Sequence, residues 1–166
     1  MLQQINYSIN ILLPSTSANL LMTELVGKLT VPPENAMAES LLNLGKIGKV
    51  MQTLGTGPHR MSVNSRPDWF FDTKYYGGII TDIASHQVDQ FLHFTGSTQG
   101  EVVASQIANH HHPQYPKFQD FGDLMLRSNK GSGYIRVDWF TPDGLNTWGD
   151  GRLTILGTDG YMEVRK

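Results

Sequence analysis

The chain has 166 residues, 39% of them hydrophobic, with 17 glycines and a formal charge of -2 from 13 Lys and Arg against 15 Asp and Glu, the make-up of one ordinary globular domain. Without a surplus of positive charge there is no electrostatic footprint for nucleic acid or an anionic membrane. The absence of cysteine excludes a disulfide scaffold, a thiolate zinc site and a cysteine nucleophile.

The amino-terminal stretch is apolar, but its run from Ile9 to Leu13 is broken by Pro14-Ser15-Thr16-Ser17 and no early cation precedes it, so it lacks the layout of a secretory signal. No window reaches the roughly 18 apolar residues of a membrane span, and the expected location is the cytoplasm. Composition shifts at Pro32-Pro33. Residues 1–31 are therefore treated as a separate amino-terminal segment and residues 34–166 as the domain proper.

Within that domain the spacing of Ala36, Met37, Leu41, Leu42 and Leu44 predicts a short helix over 34–44, capped by Gly45. Residues 49–55 read as a strand. Gly55, Gly57 and Pro58 punctuate a loop running through Asn64-Ser65-Arg66-Pro67 to the aromatic run Trp69-Phe70-Phe71. The longest helix is predicted over 78–94, where Ile80, Ile83, Ala84, Val88, Phe91 and Leu92 repeat every three to four residues, and Gly96 ends it. Strand-like runs follow at 101–109, 121–127, 133–140, 152–156 and 161–165, with turns at Asn129-Lys130-Gly131 and Asp159-Gly160. Short gaps favour antiparallel neighbours. The expected fold class is α+β, a mostly antiparallel open sheet with helices on one face. Such a sheet leaves its other face to be covered, which predicts a homo-oligomer associating through it.

Four polar residues of the long helix, Asp82, His86, Asp89 and His93, are spaced four, three and four apart and project within about 60° of one another at about 100° per residue. A carboxylate one turn from an imidazole can orient it for general acid/base work. The same stripe also fits a solvated helix face. Spacing further predicts that Asp82 and His86 face an open cleft, because Ile80, Ala84, Val88 and Phe91 claim the opposite side. His110-His111-His112 suggest metal at first sight, but consecutive histidines on an extended chain point in opposite directions and no carboxylate or thiolate is placed with them. No metal is expected. Trp148, Asp150 and Arg152, on a loop entering a strand, mix an indole with a carboxylate and a guanidinium. That mixture suits a sugar or polyol, or an aromatic-anchored structural loop. No G-x-G-x-x-G follows a strand; the triplet Gly55-Thr56-Gly57 precedes a proline instead of opening a helix.

The segments Gly45-Lys46-Ile47-Gly48-Lys49-Val50, Arg66-Pro67-Asp68-Trp69-Phe70-Phe71-Asp72 and Gly77-Gly78-Ile79-Ile80-Thr81-Asp82-Ile83-Ala84-Ser85-His86-Gln87-Val88-Asp89, together with Gly157-Thr158-Asp159-Gly160, resemble the Gfo/Idh/MocA oxidoreductases over residues 34–166. The resemblance implies the carboxy-terminal α+β domain of an NAD- or NADP-dependent sugar or polyol dehydrogenase. It puts the family's Asp-x-x-x-His motif on Asp82 and His86, with His86 as acid/base at the substrate hydroxyl and Asp82 as its orienting or substrate-binding partner; Asp89, Trp148, Asp150 and Arg152 are the further candidate substrate contacts. It also implies a chain shortened at both ends, because the family's amino-terminal Rossmann domain and Glu-Lys-Pro segment have no counterpart here. No nicotinamide cofactor is expected to bind this chain alone. The expected function is that of a fragment or split relative of such a dehydrogenase. The alternatives are a non-catalytic polyol-binding or oligomerisation module and, more remotely, a histidine-based metal hydrolase or isomerase.

Overall fold

The computed structural model describes residues 8–12 and 34–165. Their framework is one seven-stranded sheet made of β1 (Ser8–Leu12), β2 (Val50–Pro58), β3 (Glu101–Ala108), β4 (Phe121–Arg127), β5 (Ser132–Asp138), β6 (Arg152–Gly157) and β7 (Tyr161–Arg165). The strand order is β1-β7-β6-β2-β5-β4-β3. Every pairing is antiparallel except the central one, β2 with β5, which is parallel. The fold is therefore α+β with an open, mostly antiparallel sheet.

Alternation along the strands separates two faces. On one, the rows Leu124–Ile135–Gly55–Leu153–Val164 and Leu126–Gly133–Thr53–Ile155–Met162 run straight across β4, β5, β2, β6 and β7, and all ten residues are buried. Both main helices lie on this face. Helix α1 (Glu34–Asn43) sets Ala38 and Leu41 against Leu153, Ile155, Met162 and Val164. It ends at Gly45 in the left-handed conformation (φ 65°), where Gly45 N–H reaches the Leu42 carbonyl. The turn Gly157–Gly160 between β6 and β7 is fastened beneath it, since Thr158 N–H and Asp159 N–H donate to the carbonyls of Lys49 and Ile47.

The second helix begins as a π-helical turn, Ile80–Ala84, and continues as the α-helix Ser85–Thr95, labelled α3. It crosses β2, β5 and β4 at close range because the sheet presents glycines to it. A Cβ at Gly57 would stand 2.8 Å from Gln87 Nε2 and 3.1 Å from Ile83 Cγ2, and one at Gly133 would stand 2.8 Å from the Phe91 ring. This revises the sequence expectation that Gly55 and Gly57 end the strand: β2 runs on to Pro58, and the glycines form the floor under the helix. The strand expected over 133–140 likewise ends at Asp138, because Trp139 leaves the ladder to join the aromatic core.

Between β2 and the π-turn the chain makes two short 3₁₀ turns, Val63–Ser65 and Asp68–Phe71, and the one-turn helix α2 (Thr73–Tyr76). Phe70 and Phe71 are buried there against Tyr76, Phe118, Trp139 and Tyr115, with the Phe71 and Tyr115 rings stacked at 3.7 Å. Two consecutive left-handed residues, Gly77 (φ 83°) and Gly78 (φ 88°), turn α2 into the next helix. L-residues rarely adopt that conformation, so the Gly-Gly pair is a backbone requirement. No helix among the described residues is long and apolar enough to cross a membrane.

Candidate functional site

The entry to the long helix is rigidly set. Gln119 Oε1 accepts a hydrogen bond from Ile79 N–H at 3.2 Å, and Asp82 N–H donates to the Gly78 carbonyl at 3.0 Å. One turn further, Asp82, His86, Asp89 and His93 are all exposed, while Ile83, Ala84, Phe91 and Phe94 are buried. The helix thus turns its polar stripe away from the sheet. The π-turn spans Asp82 and gives way to α-helix just before His86, so the angle between these two side chains is set by an irregular turn of a kind that recurs at functional sites.

Two residues of the chain leaving β2, His59 and Arg66, come near enough to Asp82 to act on its carboxyl. Loss of water around that carboxyl raises its pKa above the ordinary value, against the opposing pull of Arg66, His59 and His86 nearby. His59 follows directly on β2. Its Nδ1 lies 3.0 Å from the Gly57 carbonyl, and its ring meets Trp139 and Trp148 edge-on at 5.5 and 6.2 Å. Arg66 lies over Phe70, Trp139 and Trp148 at 4.4, 5.0 and 5.6 Å. Arg60 ties down the loop carrying Trp148: its guanidinium donates to the carbonyls of Leu145 and Thr147, and its backbone N–H donates to the Trp148 carbonyl at 2.9 Å. Gln87, next to His86, fills the space above Gly55 and Gly57.

The sequence candidates therefore divide. Asp82, His86 and Asp89 share one helix face, and Trp148 joins His59 and Arg66 beside it. Asp150 and Arg152 form an ion pair with each other. Arg152 is exposed next to the buried Leu153 and opposite Thr56 in register, which puts it on the open face of the sheet, away from the helix. His59, Arg60 and Arg66 were not among the sequence candidates. Their signal was three cationic or titratable residues within eight positions, directly after a strand and before an aromatic run.

The histidine triplet has a different job. The Asp120 carboxylate accepts hydrogen bonds from His110 N–H (2.8 Å), His111 N–H (2.7 Å) and the His112 ring (2.9 Å). Burial opposes ionisation of this group, but those donors together hold its carboxyl below the usual range. Among the described residues no three His, Asp or Glu side chains are grouped to hold a metal ion. A cleft of about 780 Å³ opens beside this turn, between residues 61–65 and 139–143.

The described residues do not fit a dinucleotide. Such a cofactor needs a glycine-rich turn offering free backbone N–H groups at a helix N-terminus. Here Gly55 and Gly57 are covered by Gln87 and Ile83. The helix after Gly77-Gly78 has its Ile79 N–H taken by Gln119 and carries the acidic Asp82 in its first turn.

No curated protein matches the chain. Residues 36–163 match the GFO/IDH/MocA C-terminal domain. Among solved structures, a protein of Erwinia carotovora atroseptica SCRI1043 assigned as an oxidoreductase is 55% identical, with a TM-score of 0.74 over 78% of this chain and 39% of that one. The scyllo-inositol dehydrogenase of Lactobacillus casei, solved with NAD(H) and scyllo-inositol, is 20% identical, with a TM-score of 0.66 over 80% of this chain and 38% of that one. A levoglucosan dehydrogenase in complex with NADH and levoglucosan is 23% identical, with a TM-score of 0.63 over 79% and 37%. The chain thus spans about two fifths of the length of the solved proteins it matches.

Proposed function

The chain belongs to the Gfo/Idh/MocA oxidoreductases through their C-terminal domain, and on that premise we propose that it is the substrate domain of an NAD- or NADP-dependent oxidoreductase acting on a sugar or polyol hydroxyl. The observation that carries this reading is the exposure of Asp82 and His86, one turn apart, on the solvent side of a helix whose other side is packed on the sheet, with Arg66 and His59 near enough to act on the Asp82 carboxyl. In this reading His86 accepts the hydroxyl proton as the carbinol carbon is oxidised, Asp82 orients the imidazole or the substrate, and Trp148 offers an apolar wall to the sugar ring. A nicotinamide, for which the described residues offer no cradle, would take up the hydride. The relatives solved with scyllo-inositol and levoglucosan support a hydroxyl-rich substrate.

The open face of the sheet, bearing the exposed Leu54, Met125 and Leu156, is the surface through which the domain would pair with a second copy.

A chimera joining this chain to the remainder of the Erwinia relative tests the assignment. The expected result is NAD- or NADP-dependent oxidation of a polyol that falls about 10²-fold or more in His86→Ala, with nicotinamide binding nearly unchanged. A chimera that folds, binds nicotinamide and turns over equally well without His86 sinks the reading.

A further inference from the structure

Arg66 is held in a way that leaves its most useful atoms idle. Three aromatic rings, those of Phe70, Trp139 and Trp148, surround its guanidinium carbon at 4.4, 5.0 and 5.6 Å. Its Nε donates to the Met61 carbonyl at 3.2 Å. These contacts fix the plane of the group. Among the described residues the two terminal nitrogens have no hydrogen-bond partner. The neighbouring Arg60 differs, because its terminal nitrogen is committed to the carbonyls of Leu145 and Thr147.

Arg66, together with His59 and His86, acts on the Asp82 carboxyl. The indoles of Trp139 and Trp148, which touch both Arg66 and His59, join these groups into one wall. A guanidinium with its plane fixed and its terminal fork free matches a carboxylate, whose two oxygens accept both N–H groups in parallel. A neutral hydroxyl would use only half of that fork.

We infer that Arg66 is a specificity residue that receives a carboxylate of the substrate, so that the substrate is an acidic sugar or polyol, a uronic or sugar acid. This rests on the reading of Asp82 and His86 as the site of hydroxyl oxidation, and deepens it. The acid group docks at Arg66 between the two indoles, and a hydroxyl of the same molecule is presented to His86.

D-Glucuronate and D-glucose test the inference, since they differ in bearing a carboxylate or a hydroxymethyl group on the same ring. The full chain, labelled with ¹⁵N, is titrated with each, following the indole signals of Trp139 and Trp148 and the Nε–H of Arg66. The expected result is saturable shifts with glucuronate at a concentration at least about tenfold below that needed for glucose, the ratio a charge-assisted hydrogen bond sustains. Arg66→Gln should abolish that preference and Arg66→Lys should keep part of it, in proteins whose remaining spectra are unchanged. Equal responses to both sugars, or a glucuronate preference that survives Arg66→Gln, overturn the inference and leave the sugar reading standing. A response to D-glucose 6-phosphate in place of glucuronate overturns the carboxylate assignment. Silence toward all three overturns the inference together with the sugar reading.

Discussion

The ring of His112, only 6% exposed, donates to the fully buried carboxylate of Asp120 at 2.9 Å, and the same carboxylate also accepts the backbone N–H groups of His110 and His111. Asp120 is thus the hub of the turn that leads from β3 to β4. Its carboxyl is held below the ordinary range, so the folded state resists protonating it more than the unfolded chain does. The resulting stability is present above the unfolded pKa, near 3.8, and is lost as pH falls through the lower folded value. Asp120→Asn should lower stability by about 1–3 kcal/mol at neutral pH, because at least one buried donor loses its acceptor. It should also flatten the wild-type loss of stability below about pH 4. Urea unfolding at neutral and acid pH measures both. A variant as stable as wild type at neutral pH would contradict the hub role.

Asp82 has the opposite sign. Loss of water around its carboxyl raises the folded pKa despite the nearby Arg66, so the ionised form is disfavoured by folding. Asp82→Asn is expected to leave the melting temperature at pH 7 equal or higher. Any gain should shrink as pH falls through the carboxylate range, where wild-type Asp82 is itself neutral. In the active chimera the same change should lower turnover. Thermal melts over pH 4–8 beside the activity assay would reveal a group kept for function at the expense of stability. A clear destabilisation at pH 7 would instead mark Asp82 as structural.

Gly149 follows Trp148 and lies so near the end of β2 that an added Cβ would collide with the Pro58 carbonyl. Gly149→Ala is expected to cost about 1–3 kcal/mol. It should also move Trp148 away from His59 and Arg66, seen as a change in indole fluorescence. Gly144→Ala, where a Cβ meets nothing within 4 Å, is the control that should change neither.

On the open face of the sheet, Leu54 of β2 sits between Tyr134 of β5 and Thr154 of β6 in register, and Met125 of β4 lies beyond Tyr134. Leu54 is 39% exposed and Met125 52%. Sedimentation at micromolar concentrations should show a dimer that Leu54→Glu combined with Met125→Lys converts to monomer without loss of the fold. A wild-type chain that sediments as a monomer would remove the association surface from the proposal.

How much of this was legible in the residues differs from place to place. Helical spacing sufficed to put Asp82 and His86 on the exposed side of the long helix, because burying Ala84 and Phe91 leaves a helix no other orientation. The strands after residue 100 were legible as alternating runs separated by turns, and the glycine after each helix marked its end. Gly55 and Gly57 misled, since a glycine that ends a strand and a glycine that admits a helix across a strand look the same in one dimension. Only the packed structure distinguishes them, by what a Cβ would strike. The parallel pairing of β2 with β5 was equally hidden, because it joins segments separated by more than seventy residues. That pairing lies under the helix, and the chain leaving β2 places His59 and Arg66 beside Asp82. The face that Arg152 occupies was hidden too: strand alternation assigns it to the open face only once Leu153 is known to be buried. Periodicity, a local property of the chain, thus determined which elements form and which way the helix faces. The meeting of Trp148 with His59 and Arg66, and of those two with Asp82, was decided by long-range strand order and close helix packing, which no local pattern encodes.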